Sequence, residues 1–227
     1  MAGLSSALGE ILPAAFGIAV SPLPIIASVL MLLSKQARRT APAFAIGWLV
    51  GLTVVTVVVL LLAGSSDSTS NSDSTVSYWV KLVLGLVFLA LAVNSWRGRP
   101  RPGQEKPPPK WMAGLDSVKP GVALGLGALL SALNPKNLAL AVSGSVAIAQ
   151  ADLDTAGTIV CVAVFVIIGS LLVVGPVVAF FVAGQAMSKP LNELKTFMQD
   201  HNAAIMTVLL LLLGLSDVGK GLGGLIG

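Results

Sequence analysis

The chain has 227 residues, 55% of them hydrophobic and 11% charged, with a mean hydropathy of +0.90. Soluble domains carry about 25% charged residues, so a soluble fold is excluded and the class is polytopic membrane protein. A single cysteine, Cys161, excludes an intramolecular disulfide, and a single histidine, His201, excludes a multi-histidine metal or haem centre; the net charge of +4 belongs to the membrane-facing loops and does not indicate a nucleic acid partner.

Residues 1–10 contain no Lys or Arg, so they lack the basic start of a signal peptide, and the first apolar run reads as a retained span. Six apolar segments follow: Ile11–Leu33, Ala41–Ala63, Val76–Trp96, Pro120–Ala149, Thr155–Gly184 and Ala203–Val218. About 20 residues cross the hydrocarbon core, so the sixth is short unless it runs on into the Gly-rich tail. The fourth and fifth have length to spare, which predicts tilt, a break or interfacial ends. Between them, Ser65–Thr75 reads as a polar outer loop, and residues 97–119, with Pro107, Pro108 and Pro109, read as an extended basic linker.

Charge fixes an orientation. Lys35, Arg38 and Arg39, the basic residues from Arg97 to Lys119, and Lys189 and Lys195 put eleven of the fourteen cations on one side. The positive-inside rule makes that side cytoplasmic and places both termini outside. The chain then divides into residues 1–96, a linker 97–119 and residues 120–227, giving two three-helix halves of opposite orientation. The predicted fold class is therefore all-α integral membrane, six transmembrane helices in two inverted repeats.

Both halves carry a break in their first span. Ser21-Pro22-Leu23-Pro24 interrupts the first, and Asn134-Pro135-Lys136-Asn137, just after Ser131, interrupts the fourth. Placing Pro24 over Pro135 aligns the two. Paired interruptions in matching positions point to a binding site near the midplane. A charge at the centre of a span costs roughly 2.5–3.5 kcal/mol, so Lys136 must face protein or a wet cavity unless it snorkels to an interface. The half-helix N-termini and the ammonium would together suit a phosphate, sulfate or carboxylate, while the prolines could equally be packing kinks. The candidate substrate-binding residues are Ser21, Pro22, Pro24, Ser131, Asn134, Pro135, Lys136 and Asn137. Ser28, Thr53, Ser170, Pro176 and Asp217 are secondary or gating candidates.

Each secondary residue has a plainer reading. Thr53 and Thr56 can bond back to their own helix. Ser170 and Gly175-Pro176 interrupt the fifth span as a hinge or gate. Asp217 can neutralise Lys136, or pair locally with Lys220 three residues on. Cys161 reads as a small buried hydrophobe, and His201 as solvated. Gly47 and Gly51, and Gly121 and Gly125, have the small-xxx-small spacing of close helix contacts, which leaves a homodimer open. No nucleotide loop, metal-ligand spacing or Ser-His-Asp set is present in the sequence, so no cofactor, no metal and no enzymatic activity are expected.

The six spans, the proline-rich break, Asn134-Pro135-Lys136 and the Pro/basic linker resemble the LysE exporter superfamily. Ser21-Pro22-Leu23-Pro24 and the Ser/Asp-rich outer loop are most similar to its GAP branch, the peptidoglycolipid- and sulfolipid-addressing proteins. Amino-acid exporters usually carry a Pro-Gly-Pro type element at that break, so this chain departs from them. The resemblance implies a protein of the bacterial cytoplasmic membrane that exports, or assists export of, an amphipathic envelope glycolipid by alternating access. Its partners would be membrane lipids, the glycolipid and a larger lipid-export complex. A small-solute exporter and a non-transporting scaffold are the alternatives.

Overall fold

The computed structural model describes residues 2–64, 73–99 and 118–226, so most of the Ser/Asp-rich loop and of the Pro-rich linker lies outside the described residues. Among the described residues the chain forms eight α-helices, one 3-10 turn and no strand. They are α1 (Ala2–Ala19), α2 (Pro22–Leu33), α3 (Ala37–Gly64), α4 (Asp73–Arg97), α5 (Pro120–Ala132), α6 (Pro135–Ala149), α7 (Thr155–Ala183) and α8 (Ser188–Ile226), with the turn Gly184–Met187 before α8.

Local chemistry sets most of these boundaries. Three helices, α2, α5 and α6, begin with proline in their first turn, where a missing N–H costs nothing. Helix α7 begins where the Asp154 carboxylate accepts the Gly157 N–H at 2.8 Å. It ends at Gly184, whose φ of +59° suits a residue without Cβ.

Helices α3, α4, α7 and α8 are long and apolar enough to cross a membrane, and α1 with α2 makes a fifth candidate bent by 52° at its break. The sequence predicted six spans. The difference lies in the apolar run 120–149, which the break divides into helices of 13 and 15 residues, each too short to cross alone. Large apolar side chains such as Leu61, Val182 and Leu212 are exposed on the outside of the bundle. With the apolar helices, this makes the chain a multi-pass membrane protein.

Helix α3 is the spine of the second broken segment, packing along both α5 and α6. The approach is backbone to backbone: a Cβ on Gly47 would collide with Leu124 O, and one on Gly51 with Ser131 Oγ and Ala128 O. The small-xxx-small pair on α3 therefore works inside the molecule, while Gly121 and Gly125 meet open space. Helix α4 packs over α8, and α1 packs against both α6 and α7. The core between them is built from Ile11, Ile18, Ile25, Phe44, Trp48, Leu140 and Phe165.

Two further expectations change. The fifth span is not interrupted, because α7 runs unbroken through Ser170, Gly175 and Pro176. Packed neighbours satisfy the carbonyl that a membrane proline frees, so a single proline need not break the helix. The sixth span does continue through the Gly-rich tail. It also extends backwards, and the connection bearing Lys189 and Lys195 is helical from Ser188. At 1.5 Å per residue α8 is roughly 58 Å long, well beyond a hydrocarbon core of about 30 Å.

Candidate functional site

A broken helix exposes carbonyls at the end of its first piece and amides at the start of its second. In this protein the two breaks answer each other. The Lys136 Nζ donates to Gly17 O at 2.6 Å and to Ser21 Oγ at 2.6 Å, both in the first break. Gly17 lies in the last turn of α1, so the ammonium sits where the helix dipole is negative, an interaction of about 0.3–1 kcal/mol or more when buried.

The Ser21 hydroxyl also lies 2.6 Å from Ile18 O and 2.9 Å from Asn137 Oδ1. It has one hydrogen, so it donates to one of these oxygens at a time. The Asn137 Nδ2 donates to Leu130 O at 3.1 Å, filling a carbonyl freed at the end of α5. The Asn134 Oδ1 accepts the Lys136 backbone N–H at 3.1 Å and caps α6. Ser21, Lys136 and Asn137 are 1%, 6% and 0% exposed, so the ammonium points into protein and does not snorkel.

The first turn of α2 is poor in donors. Pro22 and Pro24 have no N–H, and the Ile25 N–H is used on Ser21 O. In α6 Pro135 lacks an N–H and Asn134 takes that of Lys136. The expected cradle of backbone amides is therefore thin, and the positive character of the site rests on the Lys136 ammonium. The expected pairing of the two breaks also shifts. Pro22 opens α2 as Pro135 opens α6, with Ser21 and Asn134 as their N-caps, so Pro22 and not Pro24 is the partner of Pro135.

At the other end of α2 a cavity of about 680 Å³ opens between Leu32, Leu33, Lys35, Arg38, Arg39 and Phe180. Among the described residues, three cations line it and no carboxylate does.

A family model described as Sap, sulfolipid-1-addressing protein, matches residues 11–223, which takes in both breaks, the cavity and α2 to α7 whole, with most of α8 and the second half of α1. The chain belongs to this family, SfLAP. No curated protein and no solved structure matches it. Membership of SfLAP gives the chain a lipid-related membrane role.

Within this SfLAP chain the predicted residues divide by position. Ser21, Lys136 and Asn137 meet directly, and Pro22 and Pro24 are buried beside them. Asn134 is half-buried and Pro135 exposed, so these two shape the break without facing its interior. Ser131 is buried but bonds its own helix at Ala128 O, 2.9 Å away, against the α3 seam. Ser28 ties α2 to Val173 O of α7 at 3.0 Å. Thr53 is exposed on the outside, and Thr56 bonds back to Leu52 O at 2.8 Å.

Ser170 receives the Trp48 indole N–H at 3.2 Å, a link between α3 and α7 that sequence reasoning missed. The tryptophan alone was a signal, since a buried indole N–H requires an acceptor. Asp217 does not neutralise Lys136, whose ammonium is held by neutral oxygens. It is buried near the other end of the bundle, where Lys220 and Lys81 act on it and Ser143 hydrogen-bonds to it. Cys161 is buried and His201 exposed beside Phe197, as the sequence suggested.

Proposed function

We propose that this protein exports, or assists the export of, an anionic envelope glycolipid across the bacterial cytoplasmic membrane. In this reading α5 and α6 together make a sixth, broken span, and the six spans form two inverted halves of LysE type with both termini outside. The head group engages Lys136 while the acyl chains stay in lipid. The cationic cavity beside Arg38 and Arg39 is where the head group first leaves the cytoplasmic leaflet, and α2 leads from it to Ser21. The reading involves no bond-making step and no cofactor.

One observation carries this proposal: a buried ammonium shared between two broken helices, with neutral oxygens and, among the described residues, no carboxylate as its partners. Neutral partners leave the charge available to an anion, since binding need not displace a carboxylate. Family membership supports the lipid class of the cargo.

The test is replacement of Lys136 by Ala and by Arg in the host cell, with surface-lipid extraction at matched protein abundance. The expected result is loss of surface glycolipid with Lys136→Ala and partial retention with Lys136→Arg. Normal surface lipid with Lys136→Ala would remove the ammonium from the mechanism.

A further inference from the structure

The strongest unexplained group lies away from the two breaks. Asp217 on α8 is 7% exposed, and its Oδ2 is buried with no hydrogen-bond partner among the described residues. A carboxylate oxygen left bare in an apolar environment is costly, and intramembrane acids that persist mark functional sites.

The surroundings of Asp217 are specific. Ser143 of α6 hydrogen-bonds the carboxyl group, and Lys220 of α8 and Lys81 of α4 act on it through space. Lys81 is itself acted on by Glu10 of α1 and donates to Gln150 Oε1 at 2.9 Å. Gln150 is the C-cap of α6. Helix α6, which carries Lys136 in its first turn, therefore meets Asp217 near its middle, through Ser143, and Lys81 at its end, through Gln150. Helix α6 is a short rod between the central ammonium and this acid. Glycines seam the α4–α8 contact that encloses the acid: a Cβ on Gly85 would lie 2.6 Å from Val218 N.

We propose that Asp217 is a proton-binding site, and that its occupancy is transmitted by α6 to the two breaks. A proton arriving at Oδ2 converts the carboxylate to a neutral acid, and the bare oxygen becomes an O–H donor. The attraction on Lys81 and Lys220 is removed in the same event, which frees Lys81 and Gln150 to rearrange at the end of α6. Loss of the proton reverses both changes. The link to lipid movement rests on the function proposed above, whereas proton binding at Asp217 does not.

The experiment uses the full chain in proteoliposomes and reads two signals. Infrared difference spectroscopy between acidic and alkaline pH reports the C=O stretch of a protonated carboxylic acid in an apolar site. The expected result is a band that titrates in the wild type, is displaced in Asp217→Glu, is absent in Asp217→Asn and is kept in Asp200→Asn, an exposed acid on the same helix. A band unchanged by Asp217→Asn, or no such band at any pH, would overturn the proposal. The second signal is movement of a fluorescent sulfated glycolipid analogue with and without a proton gradient. Gradient dependence in the wild type and its loss in Asp217→Asn support the coupling; movement indifferent to the gradient in the wild type overturns it. If the wild type moves no lipid at all, the proposed function fails, and the infrared signal still decides whether Asp217 binds a proton.

Discussion

The two broken segments use one device with opposite chemistry. At the α1–α2 break, prolines at 22 and 24 strip donors from the new helix, and the break presents oxygens: Gly17 O, Ile18 O and Ser21 Oγ. At the α5–α6 break, the Lys136 Nζ donates to Gly17 O and Ser21 Oγ, and the Asn137 Nδ2 donates to the break's own Leu130 O. The α5–α6 break satisfies backbone groups with its own Asn134 and Asn137, whereas the α1–α2 break takes a donor for Gly17 O from Lys136 of the other. The asymmetry also explains why one ammonium suffices: in the aligned register Leu23 stands where the second half has Lys136.

The largest expected effect comes from forcing α3 off the second broken segment. Gly51→Leu forces α3 off the α5 backbone, and overpacking of this kind costs about 3 kcal/mol or more. Thermal unfolding in detergent should show a large loss of stability; an unchanged transition would mean that α3 does not clamp α5.

A smaller effect should separate donor from acceptor. Asn137→Ala leaves Leu130 O unsatisfied and should cost about 2 kcal/mol, whereas Ser21→Ala should cost about 1 kcal/mol because Gly17 O still holds the ammonium. The double variant should show a coupling energy of about 0.5–1 kcal/mol, as expected for residues in one network. Strict additivity would place Ser21 and Asn137 in separate networks.

The smallest effect concerns caps. Asn134→Ala should cost about 1 kcal/mol, since its side chain caps α6. Ser21 makes no cap bond to α2, so loss of its hydroxyl should act through Lys136 and Asn137 only. Restoration of stability by Asn134→Ser but not by Asn134→Val would identify capping as the cause.

Much of this arrangement was legible in the residues. Proline clusters within apolar runs located both breaks, and Lys136 marked the interior because a charge in a span needs a protein partner. The register was not legible, because Pro22 and Pro24 both suit a first turn and only the backbone shows which opens it. Pro176 misled for a related reason: a proline in a membrane helix bends or passes according to its neighbours, which lie elsewhere in the chain. The surroundings of Asp217 were hidden as well. Its spacing to Lys220 suggested a local pair, and only the packing of α4 against α8, with Ser143 of α6 at the carboxyl group, shows that it is enclosed. Sequence periodicity could not assign Ser170 to Trp48, because that bond joins two spans 122 residues apart.

The most direct test asks whether the two breaks touch. In a chain carrying Cys161→Ala, cysteines at positions 21 and 137 should be joined by a short thiol-specific cross-linker in intact membranes, while cysteines at 53 and 137 should not. Failure of the first pair to cross-link, in protein that still inserts in the membrane and unfolds cooperatively, would show that the breaks lie apart and would leave Lys136 without its partners.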